Sequence, residues 1–598
     1  MGGIKININI ITGEVLYYAF LSGVIQVRKQ KNILNKMNVF PIPDGDTGSN
    51  LVSTMNAIVE DMKIHKSIKD TINSMADAAL IGARGNSGII FAQFLNGINE
   101  EISDKEPLTM VTFAETLKNA VPYAYKAILN PIEGTMITVI REWTEAVYKL
   151  KDVTEGFESI IIKTLEDAKI SLANTPNILE ILKKSSVVDS GASGFVSFLQ
   201  GVVYFLKDKN ITKISRNEDE IVFEEEIFDF TPNITYRYCT EALISNENIS
   251  TNEIKNAIKH LGDSLIVAGN KSKVRIHIHT NKPDELFYVL RGKGEIVQQK
   301  VDDMKKQYEV VHNRINKTAI LTDSIADLPQ ELIEKYQIHV LPLNLIIEGS
   351  TYLDKLTIKP DKFYSLIDKL KEYPTSSQPT IKNVQNVFSF LTSHYESVIA
   401  IIVSKEMSGT INIVNKAAEK CIQGGKKITV INSKLNSGAE GLIVLEAAKE
   451  LEAGKNYEEV VDIIENKIKK ARIYVSVNTF KYMVRGGRVS KMKGFIGRVL
   501  NLKPIISINV DGKGIAFGKT FNSKSNTKKI LAIVNKANEN NKIASYNIVH
   551  ANAPIKANEL SLKLTTILGK SPEYITEISP IVGLSAGIGA VAVSFISS

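Results

Sequence analysis

Residues 38–50 read N-V-F-P-I-P-D-G-D-T-G-S-N, with Asp44 and Asp46 flanking the single residue Gly45. On an irregular loop, two carboxylates spaced two apart can turn their oxygens to one point. Such hard oxygen ligands suit Mg²⁺, which takes its remaining ligands from water and phosphate. Asn38 offers a third oxygen. Pro41 and Pro43 stiffen the approach by fixing φ, while Gly45 and Gly48 admit positive φ and leave N–H groups to point at an anion. The same letters also read as an ordinary turn at a helix N-terminus, and taken alone they leave both readings open.

The flanks decide the fold of this region. Before the loop, Leu16, Phe20, Val24 and Val27 recur at helical spacing. After it, Asn50 is an expected N-cap, followed by an apolar stripe of Leu51, Met55, Ile58 and Met62. The loop amides therefore stand at a helix N-terminus, where the macrodipole favours phosphate. Helical patterns continue over 71–80, 89–98, 113–129, 135–150, 157–172, 178–184 and 195–206 with no strand pattern between them. This predicts an all-α bundle of about eight helices, whose glycine-rich junctions collect at one end.

Composition sets wider bounds. A chain of 598 residues exceeds one hydrophobic core, and roughly 100–200 residues per domain predicts about three to four domains. A net charge of +8 over this length lacks the concentrated basic face of a nucleic-acid binder. Two distant cysteines, Cys239 and Cys421, give no disulfide framework and fit a reducing cytosol. The N-terminus has no signal-peptide order, and Ile6 stands where myristoylation needs Ser or Thr. The most apolar tract, 581–596, is shorter than a membrane span and is interrupted by Gly583, Gly587 and Gly589. It reads as a buried terminal strand in a cytoplasmic protein without a transmembrane segment.

Four motifs occur in order: the loop at 38–50, G-A-R-G-N-S-G at 82–88, N-P-I-E-G-T at 130–135 and V-V-D-S-G-A-S-G at 187–194. Together they resemble the nucleotide-binding domain of dihydroxyacetone kinases, in the form found in the bacterial fatty acid kinase family. The resemblance implies ATP and Mg²⁺ as cofactors. Asp44, Asp46 and Asn38 would be catalytic and hold the metal. Thr47, Gly48, Ser49, Asn50, Gly85, Asn86, Ser87, Gly88, Thr135 and Asp189 would hold the nucleotide, and Arg84 could neutralise phosphate charge.

An acidic stretch around 217–229 reads as a linker. Beyond it the texture changes to strand and helix. In V-R-I-H-I-H-T at 274–280, alternation puts Ile276 and Ile278 on one face and His277 and His279 on the other. Taken alone this is an ordinary polar strand face. However, Y-C-T-E at 238–241 and K-V-D-D-M-K-K-Q-Y-E at 300–309 resemble the middle domain of the fatty acid kinase family. That resemblance implies Zn²⁺ on Cys239, His277 and His279, with a fourth ligand unassigned.

From Thr318 the chain resembles the DegV family of fatty-acid-binding proteins, through A-I-L-T-D-S-I-A-D-L-P at 319–329, T-S-S-Q-P-T at 375–380, M-S-G-T at 407–410, V-R-G-G-R-V-S at 484–490 and N-L-K-P-I-I at 501–506. Alternating strand and helix patterns predict an α/β architecture with open sheets. The resemblance implies a long-chain fatty acid whose head group meets Ser376, Ser377, Ser408, Gly409, Thr410, Arg488 and Ser585. In the family's final G-x-H-x-G-P-G segment this chain reads G-L-S-A-G-I-G, so Ser585 replaces histidine and Ile588 replaces proline. A P-loop-like run at 512–520 has Lys513 where the first glycine belongs and reads as a hairpin turn at Asp511-Gly512. From 472 to 509 there are basic residues and no acidic ones, consistent with a solvated face or a phosphate-facing surface.

The expected organisation is a multidomain chain. It runs from a nucleotide-binding all-α helical bundle (1–210) through a linker (211–230) and a small α+β middle domain (231–315) to a two-lobed α/β DegV-like domain (316–598). In the resembled system the two functions lie on separate chains, and here they are fused. The expected function is an ATP-dependent kinase that phosphorylates the carboxylate of a fatty acid held by its own C-terminal domain, giving an acyl phosphate for a downstream acyltransferase. A homodimer is expected. The alternatives are a kinase of a small polyol such as dihydroxyacetone, and a nucleotide-regulated lipid-binding protein without turnover.

Overall fold

The computed structural model describes residues 11–43, 45–103, 108–153, 156–208, 234–487, 503–520 and 522–598. Asp44, Arg488 and the acidic stretch 211–230 lie outside the described residues, as do Ser490, Lys491, Lys493 and Arg498 of the basic stretch. The chain divides into two compact units, Met1–Gln307 and Tyr308–Ser598.

The first unit opens with nine described helices: α1 (Gly13–Lys36), α2 (Thr47–Asp61), α3 (Ile68–Gly82), α4 (Gly85–Glu101), α5 (Met110–Ala127), α6 (Met136–Lys149), α7 (Phe157–Ile178), α8 (Glu180–Lys184) and α9 (Ser190–Asp208). The expected apolar stripes face one core, with Phe20, Val24, Val27, Leu51, Met55 and Ile58 all buried. Small residues let α1 and α9 cross closely. A Cβ on Gly23 would lie 2.4 Å from the Phe198 ring, and one on Gly201 2.4 Å from the Ser22 carbonyl. The expected cap at Asn50 is corrected: α2 begins at Thr47 with Asp46 as its N-cap. The Asn50 amide already donates to the Asp46 carbonyl at 2.8 Å, which puts Asn50 inside the first turn.

The same unit ends in a four-stranded antiparallel sheet of β1 (Tyr238–Ser245), β2 (Gly262–Gly269), β3 (Lys273–Thr280) and β4 (Glu295–Asp303), in the order β2-β3-β1-β4. Ile266 and Ala268 of β2 pack into the core of the helical bundle. The Gly269 amide donates to Gln93 Oε1 at 3.0 Å, and the Leu129 amide to the Leu265 carbonyl at 3.0 Å. The histidine face of β3 is therefore not an ordinary solvated strand face, since both imidazoles are buried.

The second unit contains β5 (Thr318–Asp323), β6 (His339–Leu341), β7 (Asn344–Ile347), β8 (Ser350–Leu353), β9 (Thr375–Ser377), β10 (Ser397–Ile402), β11 (Lys427–Asn432), β12 (Ala471–Ser476), β13 (Lys503–Ile508), β14 (Gly514–Thr520), β15 (Ile543–His550), β16 (Ile575–Glu577) and β17 (Val591–Ser597). One sheet, β11-β10-β5-β6, is parallel and matches the expected alternation of strand and helix. A six-stranded sheet, β14-β13-β12-β17-β15-β16, is antiparallel except where β15 pairs with β16. A small antiparallel sheet has the order β8-β7-β9. The hairpin expected at Asp511-Gly512 joins β13 and β14, with Gly512 at φ +90°. The tract 581–596 is not one strand: it starts in the helix Pro580–Ala586 and becomes β17 only after Gly587 and Gly589, both at positive φ. Among the described residues no helix is long and apolar enough to cross a membrane.

Candidate functional site

In the first unit the glycine motifs meet one another through close contacts that a Cβ would crowd. A Cβ on Gly85, which stands at φ +61°, would lie 2.5 Å from Asn50 Nδ2; one on Gly88, 2.3 Å from Thr54 Oγ1; and one on Gly191, 2.5 Å from Ser87 Oγ. Thr54 Oγ1 also accepts from the Arg84 amide at 3.0 Å, and Asn35 holds Ser49 through both its side-chain nitrogen and oxygen, each at 3.0 Å. Asp189 accepts from the Ala192 amide at 2.8 Å and from the Met136 amide, so its carboxylate ties the start of α6 to the start of α9. The N-termini of α2, α4, α6 and α9 are thus linked in one neighbourhood, which summed helix dipoles make favourable for an anion. Thr47, Gly48, Ser49, Asn50, Gly85, Asn86, Ser87 and Gly88 belong to it. Asn86 Oδ1 is buried and has no protein donor. Thr135 directly precedes α6 and donates its hydroxyl to the Ile132 carbonyl at 2.9 Å. Burial pushes the Asp189 carboxyl up to about 6 against the pull of its two amides.

The sheet presents a second set of groups to the same loops. Strand register aligns two rows across it: Asp263, His279, Cys239 and Asp302 in one, and Ile266, His277, Glu241 and Lys300 in the other. Residues opposite one another in antiparallel strands share a face, so these side chains form a single array. Cys239, His277 and His279 bring their ligand atoms within 4.8 Å of one another, all buried. The two imidazoles turn Nε2 toward Nε2 at 3.3 Å, and Cys239 Sγ is 3.8 Å from His277 Nδ1. Asp263 stands 3.5 Å from His279 Nδ1, which orients that ring and leaves Nε2 for a ligand bond. Burial lowers the His279 pKa, and burial together with Glu241 and Asp302 pushes the Cys239 thiol up.

Glu241 is the hinge of the array. Its side chain is 1% exposed; Oε1 accepts the Gly85 amide at 2.6 Å, while Oε2 meets Arg84 at 3.3 Å and the equally buried Arg275 at 3.2 Å. Arg275 also donates to the Ala83 carbonyl at 2.5 Å and to Gln298 at 3.0 Å. Burial alone would raise the Glu241 pKa; the hydrogen bond with His277 and the charges of Lys300, Arg84 and His277 outweigh it and hold the carboxyl at about 2. Asp46, at the N-cap of α2 with no side-chain cap bond, acts electrostatically on Cys239, His279 and Lys300. Asn38 is buried close by in sequence. Sequence reading found the Cys and His residues but gave no role to Glu241, Arg275, Asp302 or Lys300. Their signal was present as the letters beside the quoted motifs, yet only strand register puts them opposite Cys239.

In the second unit a cavity of about 1680 Å³ is lined by Ser376, Ser377, Ser408, Gly409, Thr410 and Ser585, and by apolar residues including Ile473, Val475, Ile506 and Val549. The six described residues expected to meet a head group therefore share one cavity. Ser408 Oγ and Thr410 Oγ1 are 2.8 Å apart, and the Thr410 amide donates to Ser408 Oγ at 3.2 Å. A Cβ on Gly409 would lie 2.1 Å from Gln378 Nε2, so the Gln378 side chain would have to shift. Arg485 and His550, missed in the sequence reading, also line the cavity. Arg485 stacks over Tyr373 at 4.5 Å, and the Tyr373 hydroxyl donates to the Leu584 carbonyl at 2.6 Å, beside Ser585.

Three family models match the chain: a DAK2 domain over residues 41–204, a middle domain of the fatty acid kinase type over 235–311, and the DegV family of uncharacterised proteins over 317–598. An uncharacterized protein of Staphylococcus saprophyticus is 33% identical over 312 residues, 50% of this chain and 56% of the relative. The chain thus spans little more than half the length of that relative. An uncharacterized protein of Staphylococcus epidermidis is 30% identical over 422 residues, 66% of this chain and 75% of that one. Among solved structures, DegV, a fatty acid binding protein from Bacillus subtilis, aligns at 27% identity and TM-score 0.44, covering 47% of this chain and 100% of its own. A DegV family protein from Thermus thermophilus, described for its fatty acid binding, aligns at 25% identity and TM-score 0.44, covering 47% of this chain and 99% of its own. The chain therefore belongs to the family of the Staphylococcus epidermidis protein, as a fusion of a DAK2-type kinase region, with its middle domain, and a DegV unit.

Proposed function

We propose that the protein is an ATP-dependent kinase of fatty acid carboxylates, with the acyl substrate carried in the cavity of the second unit. The observation that carries the reading is the convergence in the first unit. Four helix N-termini, the Asp46 loop and the Cys239–His277–His279 cluster surround one neighbourhood suited to a polyphosphate.

In the transfer, the bond from the γ-phosphorus to the β,γ-bridging oxygen breaks and one from phosphorus to a carboxylate oxygen forms. The electron pair leaves with ADP, and no net proton moves. Such chemistry asks the protein mainly to position reactants and neutralise charge. The amides at the starts of α2 and α4, apart from those of Ser49 and Gly85 that Asn35 and Glu241 already accept, would hold phosphate oxygens, and Asn86 Oδ1 offers an acceptor to a ribose or base donor. The donor set fits the implied metals. Asp44, Asp46 and Asn38 supply hard oxygens for Mg²⁺, which would neutralise phosphate charge. Cys239, His277 and His279 supply the soft set that Zn²⁺ prefers. Because Asp46 acts electrostatically on Cys239 and His279, this second cluster would stand near the reacting phosphates. In the second unit, Ser376, Ser377, Ser408 and Thr410 would donate hydrogen bonds to the carboxylate, joined by Arg488 and Ser585. Fusion would supply the acyl acceptor at high effective concentration. An acyl phosphate is a reactive mixed anhydride, so an acyltransferase would consume it.

The test is full-length protein incubated with Mg·ATP and either oleate or dihydroxyacetone, with acyl phosphate trapped as the hydroxamate by hydroxylamine. Oleate-dependent ADP release matched by hydroxamate supports the reading. ADP release with dihydroxyacetone alone favours a polyol kinase, and nucleotide binding without release in either arm favours a lipid-binding regulator.

A further inference from the structure

We infer that Lys300 is the cation that contacts the terminal phosphate of the bound nucleotide, a catalytic residue supplied by the sheet rather than by the helical bundle. The inference rests on the kinase reading above and names a residue that reading leaves without a role.

Among the described residues three cations act on the array, and two are already committed. Arg275 is 1% exposed, and its guanidinium is shared among Glu241, the Ala83 carbonyl and Gln298. Arg84 is held on Glu241 at 3.3 Å. Lys300 differs from both in its partner. Its charge also acts on Glu241 and Cys239, but it pairs with Asp302 on its own strand; its side chain is 34% exposed, close to the 30% of Arg84, while Asp302 is 24% exposed and Glu241 only 1%. A ligand can therefore reach this ammonium without dismantling a buried pair.

Its position is also right. Lys300 lies directly opposite Glu241 in the β1–β4 register, which is undisturbed at this point because the one irregularity falls beyond Leu243. Opposite residues of an antiparallel pair have Cβ atoms roughly 4.5–5.5 Å apart on one face. Glu241 Oε1 is in turn 2.6 Å from the Gly85 amide of the glycine loop. The Lys300 side chain thus extends beside the loop whose amides would hold phosphate, on the side where Cys239 and Asp46 also stand. A lysine serves as a mobile point charge for phosphate, and charge develops on the transferred phosphoryl group and on the leaving oxygen. In the transfer, the phosphorus–oxygen bond to ADP breaks and that to the carboxylate forms, with the ammonium keeping its three protons throughout. Asp302 would hold Lys300 in place between turnovers, which makes it a positioning residue.

The experiment compares full-length wild type with Lys300→Met, Lys300→Gln, Lys300→Arg and Asp302→Asn. Calorimetry measures the affinity for Mg·AMPPNP, which carries a γ-phosphate, and for Mg·ADP, which lacks it. A charge-assisted hydrogen bond implies that Lys300→Met weakens the triphosphate analogue by about tenfold or more, leaves Mg·ADP within about twofold, and leaves the metal content of the Cys239 cluster unchanged. Lys300→Arg should recover most of the loss, and Asp302→Asn should change the ratio of the two affinities little. Lys300→Gln gives the same comparison if the methionine variant fails to fold. An equal loss for both nucleotides, or no loss, overturns the assignment and returns Lys300 to a structural role opposite Glu241. Wild type that binds neither nucleotide overturns the assignment and the kinase reading together. Wild type that binds both but makes no acyl phosphate refutes only the acyl acceptor, and the affinity ratio still decides Lys300.

Discussion

Both units bury carboxylates, and they treat them in opposite ways. In the first, Glu241 is enclosed by Arg84, Arg275, His277 and Lys300 and is held ionised at about 2. In the second, Asp323, Asp327, Asp354 and Glu440 are almost fully buried, with Lys355 the one cation acting on them among the described residues. There burial pushes Asp323 up to about 6, Asp354 up to about 7 and Glu440 well above the usual range. Three of these acids work as hydrogen-bonding staples: Asp323 accepts the Val403 and Ile325 amides, Asp354 accepts the Ser324 hydroxyl, and Asp327 accepts from Lys355, Ser437 and the Ser579 amide, whereas the Glu440 carboxyl oxygens have no hydrogen-bond partner among the described residues. The difference follows the work proposed for each unit. A phosphoryl-transfer site needs fixed charges of both signs around a polyanion. An acyl carrier needs volume and a few hydroxyls, and dense charge beside its cavity would disfavour the chain.

The contrast can be broken most directly at Glu241. Glu241→Gln leaves Arg275 without its buried counter-charge, and removing one partner of a buried pair costs about 3–5 kcal/mol. Thermal unfolding should show the loss, with hydrogen exchange assigning it to peptides of β1, β3 and the start of α4. Unchanged exchange there would mean that the array does not hold the loop. At Asp46 the expected effect is on chemistry and not on stability. Asp46→Ala should cut acyl phosphate formation by about a thousandfold or more while unfolding stays within about 0.5 kcal/mol of wild type. Turnover near that of wild type would remove the metal loop from the mechanism.

The staples of the second unit predict a pH dependence of defined sign. Asp323 and Asp354 have native pKa values above their unfolded ones, so between the two the native state binds more protons. Stability then falls as pH rises, by about 1.4 kcal/mol per unit per group, and the loss is complete above about pH 7. Exchange protection of β5 and β10, corrected for intrinsic rates, should therefore be higher at pH 5 than at pH 7.5, and Asp354→Asn should shrink that difference. Glu241 has the opposite sign, since its stabilisation is present above about pH 4.5 and is lost only as pH falls toward 2. Asp189, pushed up to about 6 by burial, is a carboxyl of the first unit's site that behaves like the second unit's acids.

The smallest expected effect concerns the cavity, where several hydroxyls share one task. Ser408→Ala should weaken oleate binding by about threefold to tenfold, and Ser585→His, which adds a side chain able to carry positive charge, should tighten it by a similar factor. Equilibrium binding of a fluorescent fatty acid measures both. If neither variant shifts the affinity, the head group lies elsewhere in the cavity, with Arg485 and His550 the next residues to replace.

Local pattern alone determined a good deal of this protein. Helical spacing of apolar residues predicted the bundle, the alternation of strand and helix predicted the parallel sheet of the second unit, and Asp511-Gly512 predicted the β13–β14 turn. These properties depend on neighbours within a few residues, which is why periodicity exposes them. The start of α2 was displaced from Asn50 to Asp46 because a cap depends on which carbonyl first closes a turn, a matter of a single hydrogen bond. The tract 581–596 misled for a related reason: hydrophobicity reports burial, and a short helix and a strand can be equally buried. What only the tertiary structure decided is the content of the site. Lys300, Asp302 and Glu241 gain their meaning from the β3-β1-β4 register, Asp189 from the amides of two helices, and Arg485 and His550 from a cavity that distant segments enclose. Sequence carries no measure of distance between such segments, and electrostatic coupling depends on that distance.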